Sequence, residues 1–70
     1  MNYNQKSIKK FKGQLILMTF KNKINEQITQ TGIITASTKY HVLFDVNNEG
    51  REIILNYENI LNVEKPWTYF

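Results

Sequence analysis

The residues of this chain best suited to a chemical role are lysines close to its start. Residues 1–23 carry six lysines and no acid, giving a net charge of +6, whereas residues 24–70 carry a net charge of −3. Ammonium groups spaced this closely can bind phosphates, so they are candidate nucleic-acid contacts. A solvated segment that keeps the protein in solution is the alternative interpretation. The candidate residues are Lys6, Lys9, Lys10 and Lys12.

The other ionisable residues do not suggest catalysis. His41 is the only histidine, Asp45 is its nearest acid, and there is no cysteine. A metal site or a Ser-His-Asp triad needs several such groups to converge. Acid–base catalysis needs a buried carboxyl group, whereas the remaining acids fall in predicted turns and strand ends. We therefore predict no enzyme activity, no metal, no cofactor and no small-molecule substrate. Those acids include Glu49, Glu52, Glu58 and Glu64.

An aromatic tail follows Pro66. Trp67, Tyr69 and Phe70 fall within four residues, and an exposed apolar patch of this kind usually marks a contact. Two interpretations stay open. The tail folds back to cap the core, or it forms a protein interface, for which Trp and Tyr are favoured. Tyr57 is a further interface candidate.

A short N-terminal helix is predicted over residues 4–12. Asn4 is a suitable N-cap because its side chain can accept from a free backbone N–H. Ile8 and Phe11 lie on one apolar stripe, and Gly13 is suited to the C′ position. A helix this short needs a sheet to lie on.

Five short strands are predicted after the helix. Gly32 falls inside the second strand and suggests a bulge or sharp bend, and residues 47–50 form the clearest hairpin turn. A one-turn 3₁₀ break precedes the last strand. The predicted strands are residues 14–20, 26–35, 40–46, 51–57 and 60–63.

These elements predict one mostly β domain over residues 1–70. Five strands, with a bent second strand and a break before the fifth, are typical of a small SH3-like or Sm-like barrel. The predicted parts are a helix at about 4–12, a barrel at about 14–64 and the aromatic tail at 65–70. An apolar content of 41% is enough for a small core.

Three segments resemble a known family. The motif TGII at residues 31–34, the turn NEG at 48–50 and the run LNYENILNVE at 55–64 are similar to the core of YolD-like proteins. These are small proteins of Gram-positive bacteria and their mobile elements, and the resemblance covers roughly residues 15–64. Membership would imply a non-enzymatic accessory role, associated in some members with damage-tolerance polymerases.

The predicted order of elements also resembles Sm-like RNA-binding proteins, which include the bacterial RNA chaperone and small inhibitors of the Rho terminator. The chaperone carries a Lys-His pair just before its last strand, where this chain has Tyr57 and Glu58. A carboxylate there would repel a phosphate, so the RNA site of that protein is not carried over.

We therefore expect a small regulatory protein that binds another protein or itself and comes from a phage or other mobile element. A nucleic-acid-binding module using the basic N-terminal helix is the alternative. No secretory signal is visible, and the longest apolar stretch, residues 15–18, is much shorter than the roughly 20 residues that span a bilayer. The expected location is the cytoplasm, without membrane contact.

Overall fold

The computed structural model describes residues 3–66 as one short helix and five antiparallel strands. The mostly β prediction and the number of strands are confirmed. The elements are α1 (Gln5–Lys9), β1 (Leu15–Lys21), β2 (Gln27–Ser37), β3 (His41–Val46), β4 (Glu52–Asn56), a 3₁₀ turn η1 (Tyr57–Asn59) and β5 (Ile60–Glu64).

Helix α1 begins as predicted but ends earlier. The Ser7 N–H donates to Asn4 Oδ1, and the Asn4 N–H donates to Ser7 Oγ, each over 2.9 Å, which forms a capping box. After the helix, Phe11 N–H bonds to the Ile8 carbonyl, a tighter turn than an α-helix makes. The predicted extension to residue 12 is therefore wrong.

Gly13 does not cap the helix, contrary to the prediction. It has φ +80°, and its N–H donates to the carbonyl oxygen of Ile34 over 3.0 Å. The glycine thus turns the chain onto the sheet at the entry to β1, where a left-handed backbone suits glycine.

The five strands form one sheet in the order β4-β3-β2-β1-β5. Among residues 3–66, β4 pairs only with β3 and β5 pairs only with β1, so hydrogen bonding does not close the sheet. The predicted closed barrel is therefore not confirmed. Strands β4 and β5 are the two edges.

Strand β2 joins the two halves of the sheet at Gly32. Gly32 pairs with Ile16 of β1 on one side and with Val46 of β3 on the other. The irregularity in register lies later, between Ile34 and Ala36, so no bulge lies at Gly32, and the alternative of a sharp bend there stays a prediction. A Cβ at Gly32 would lie 2.3 Å from the backbone oxygen of Asp45, and this close approach explains the glycine.

Close to Gly32, the ring of Phe44 fills the space that a side chain would need. A Cβ at position 32 would lie 2.7 Å from Phe44 Cζ. The same ring meets Phe20 edge to face, with 6.2 Å between centroids. The position of the Phe44 ring therefore depends on the absence of a side chain at position 32.

The core lies under one face of the sheet, with α1 against it. Burial alternates along β1, so this strand buries one face rather than two. In β3, Val42 and Phe44 are buried. Tyr40, which precedes β3, is 71% exposed. The buried residues are Ile8, Ile16, Met18, Phe20, Ile34, Val42, Phe44, Leu55, Ile60 and Val63.

Candidate functional site

The four candidate lysines do not form one cluster. Lys10 lies apart from the others, with its Nζ 5.2 Å from the centre of the Phe11 ring. It borders a different depression, which includes Val63 and Lys65. The other three line a depression of about 460 Å³ together with Gln5 and Ser37; they are Lys6, Lys9 and Lys12.

Asp45 has a structural role that sequence reasoning missed. Its side chain is 8% exposed, and Oδ1 accepts the N–H groups of Gly50 and Arg51 over 2.9 and 3.0 Å. These bonds hold the β3–β4 turn, in which Asn47 and Asn48 have positive φ. The sequence did carry a signal for this role, namely an Asp just before an Asn- and Gly-rich turn. Asp side chains often accept hydrogen bonds from backbone N–H groups a few residues later.

The remaining acids and His41 form no chemical centre. The acids at the predicted turns and strand ends are exposed: Glu49, Glu52, Glu58 and Glu64. Glu52 accepts a hydrogen bond from Thr35 Oγ1, which links β4 to β2 across the sheet. Within residues 3–66 no group of three or more His, Cys, Asp or Glu side chains could hold a metal ion.

Tyr57 has a structural role. It lies in η1, partly buried against the core, and its hydroxyl donates to the carbonyl oxygen of Thr38 over 2.5 Å. Burial raises the pKa of the phenol above its ordinary value of 10.0. Its proposed interface role stays a prediction. The other interface candidates, Trp67, Tyr69 and Phe70, lie outside the described residues.

The β5 edge of the sheet is covered at Val63. The Val63 N–H donates to the hydroxyl oxygen of Tyr3 over 3.0 Å, and the Tyr3 ring packs against the core. The N-terminal segment therefore lies beside β5 and occupies a backbone donor that an added strand would need.

The β4 edge is open in the sense that no second strand among residues 3–66 pairs with it. The Val46 N–H donates to the Arg51 carbonyl over 3.2 Å, and hydrogen-bonded positions alternate along an antiparallel pair. The peptide groups of Glu52, Ile54 and Asn56 therefore point away from β3. No described strand lies beyond them, and the Ile54 side chain is 65% exposed.

A groove of about 320 Å³ lies beside this open edge. Buried Phe20 and Leu55 supply apolar surface, while lysine and asparagine side chains supply polar surface. The groove joins the end of β1 to β4, although β2 and β3 separate these strands in the sheet. Its lining residues are Phe20, Lys21, Asn22, Lys23, Ile53, Ile54, Leu55, Asn56 and Asn59.

The turn after β1 fixes the backbone beside the two lysines of the groove. Asn22 Oδ1 accepts the N–H groups of Ile24 and Glu26 over 3.1 and 2.9 Å. Asn25 has φ +65°, as a tight turn requires. Lys21 and Lys23 thus flank a turn organised by the side chain between them.

Comparison with protein-family models gave no match, and comparison with curated proteins and solved structures gave no significant match. The resemblances to YolD-like and Sm-like proteins therefore stay predictions. No helix among residues 3–66 is long and apolar enough to cross a bilayer.

Proposed function

We propose that the chain is a small, non-enzymatic regulatory protein that acts by protein–protein contact at the β4 edge. The observation that carries the proposal is a row of peptide groups with no paired strand beside a groove, on a sheet whose other edge is covered at Val63. Proteins usually block exposed strand edges because they pair with other chains. An extended peptide that adds to such an edge gains affinity from backbone bonds and specificity from side-chain pockets.

We further propose that the sheet curls into an SH3-like or Sm-like barrel. The groove lined by both β1 and β4 supports this architecture, since two strands that are not neighbours in the sheet approach one another there. The edge-to-face contact between the Phe20 ring of β1 and the Phe44 ring of β3 also fits a curled sheet.

Selection from a phage-displayed library of random peptides tests the binding proposal. The wild-type chain should enrich extended peptides, and Ile54→Lys should not, because an edge lysine disfavours strand addition. Leu61→Lys is the matched control, since it places the same side chain at an exposed position of β5. The free energy of unfolding of each variant should lie within about 0.5 kcal/mol of the wild-type value, as is usual for surface substitutions.

A second variant removes the backbone donor itself. Ile54→Pro eliminates an N–H that points away from β3, so the β3–β4 ladder should survive while peptide capture is lost. Failure of the wild type to enrich any peptide would contradict the proposal. So would enrichment of the same peptides by both Ile54 variants.

Nucleic-acid binding is the second candidate function. The observation that favours it is the single depression shared by Lys6, Lys9 and Lys12. Replacing these three with Gln should abolish retardation of single-stranded RNA or DNA, whereas Lys10→Gln should change it little. Three phosphate contacts predict a slope of about −2 in log affinity against log salt. Absence of retardation by the wild type at low salt would contradict this function.

A further inference from the structure

We propose that the partner segment at the β4 edge is an extended peptide whose apolar residues alternate with acidic ones. This inference rests on the proposed function and adds the chemistry of the partner. Its basis is the combination of an unpaired edge, an apolar groove and two cationic side chains in the groove lining.

The backbone of β4 defines the form of the peptide. The outward peptide groups belong to Glu52, Ile54 and Asn56, so an added strand can pair at every second residue. Matching the full strand takes about five to seven residues, because an extended chain rises about 3.3 Å per residue. Successive side chains of that strand would point to opposite faces, so every second residue can enter the groove.

The side chains of the groove define the composition of the peptide. Phe20 and Leu55 favour an aliphatic side chain over the groove, since its burial removes apolar surface from water. Lys21 and Lys23 favour acidic neighbours, and no acidic side chain is among the lining residues. Each exposed ion pair contributes about threefold in affinity, so two pairs predict about tenfold in favour of an acidic peptide.

A second copy of the chain fits this edge less well. Pairing β4 with β4 of another copy would bring the Lys21 and Lys23 ammonium groups of both copies to one interface. Strand β4 supplies a single carboxylate in return, that of Glu52, which already accepts from Thr35. Like charges across an interface disfavour association.

Two capped heptapeptides test the inference directly. One alternates Val or Ile with Glu, and the other has Lys in place of each Glu. Fluorescence anisotropy should give the Glu peptide about tenfold higher affinity. Amide chemical shifts of the labelled full chain should move at Glu52, Ile54 and Asn56 when the Glu peptide is added.

Charge reversal in the groove supplies the matched comparison. Lys21→Glu/Lys23→Glu should reverse the preference, so that the Lys peptide binds more tightly than the Glu peptide. Lys10→Glu/Lys39→Glu makes the same change in net charge outside the groove and should keep the wild-type preference. Amide spectra of both variants verify the fold before binding is compared.

Each alternative result has a definite meaning. Equal affinity for both peptides, with shifts at β4, would overturn the acidic preference and leave the proposed function standing. Binding of neither peptide would overturn the inference, whereas the library selection decides the proposed function separately. Sedimentation that shows a wild-type dimer, lost in Ile54→Lys, would assign the edge to a second copy and overturn the inference as well.

Discussion

The two edges of the sheet carry similar strands and differ in what covers them. Strands β4 and β5 each have five residues and each pair with one neighbour. At β5 the phenol of Tyr3 takes the Val63 N–H. At β4 no described strand pairs with the outward peptide groups of Glu52, Ile54 and Asn56. The two strands therefore differ because a side chain from elsewhere in the sequence, that of Tyr3, blocks a backbone donor of β5, whereas no such side chain among residues 3–66 does so at β4.

The largest expected loss of stability comes from a substitution in β2, the central strand of the sheet. Gly32→Ala places a Cβ against the Asp45 backbone oxygen and the Phe44 ring. Because backbone and a buried ring cannot both move away, we expect a loss of about 3 kcal/mol in the free energy of unfolding. Urea denaturation followed by circular dichroism measures it.

Gly50→Ala is the matched control for that substitution. Gly50 has φ +80° but no atom within 4 Å of the added Cβ, so only backbone conformation opposes it, at about 1 kcal/mol. Equal losses in the free energy of unfolding of the two variants would show that the close approach of Asp45 and Phe44 does not explain the glycine at position 32.

The next effect is confined to the half of the sheet that carries the open edge. Asp45→Ala removes the acceptor of the Gly50 and Arg51 N–H groups and should cost about 2 kcal/mol. Amide exchange should accelerate in β3 and β4 more than in β1 and β5. Uniform acceleration in all five strands would contradict a local role for Asp45.

A smaller loss of stability is expected when the cover at the β5 edge is removed. Tyr3→Phe keeps the ring but removes the oxygen that accepts from Val63, so unfolding should become easier by about 1 kcal/mol. The Val63 amide should exchange faster, while the Ile54 amide keeps its rate. An unchanged Val63 rate, measured by NMR, would mean that Tyr3 does not cover the edge.

The smallest effect concerns alkaline pH. Burial raises the pKa of Tyr57 above 10.0 in the folded chain, so the unfolded chain releases the proton first. The contribution of Tyr57 is therefore complete below pH 10 and is lost as pH rises through the folded-state pKa. Tyr57→Phe should lose less stability than the wild type between about pH 9 and 11 in urea titrations. An identical decline in both would contradict the burial of the phenol.

Local sequence signals predicted the elements well because their causes are local. Asn4 marks the helix start through its own side-chain bond to Ser7. The turn before β4 needs residues that tolerate positive φ, and Asn47, Asn48 and Gly50 supply them. The predicted end of the helix was wrong because the conformation of Gly13 serves a hydrogen bond between its N–H and the Ile34 carbonyl of β2, which is distant in the sequence.

The candidate site was not predictable in the same way. The cover on β5 joins Tyr3 to Val63, and the groove joins Lys21 to Ile53. Neither pair has a signal at short range in the sequence. The lysine cluster was predicted from spacing alone, and the structure separates Lys10 from the rest because its side chain lies over the Phe11 ring.

Native-state hydrogen exchange of the free chain tests the central claim, which is that β4 is the open edge and β5 the covered one. The account predicts that the Ile54 amide exchanges within about tenfold of an unstructured peptide, while the Val63 amide is slower by at least about a hundredfold. The amides of Ile53 and Leu55, which face β3, should be protected as well. A protected Ile54 amide, or a Val63 amide as fast as Ile54, would contradict the account.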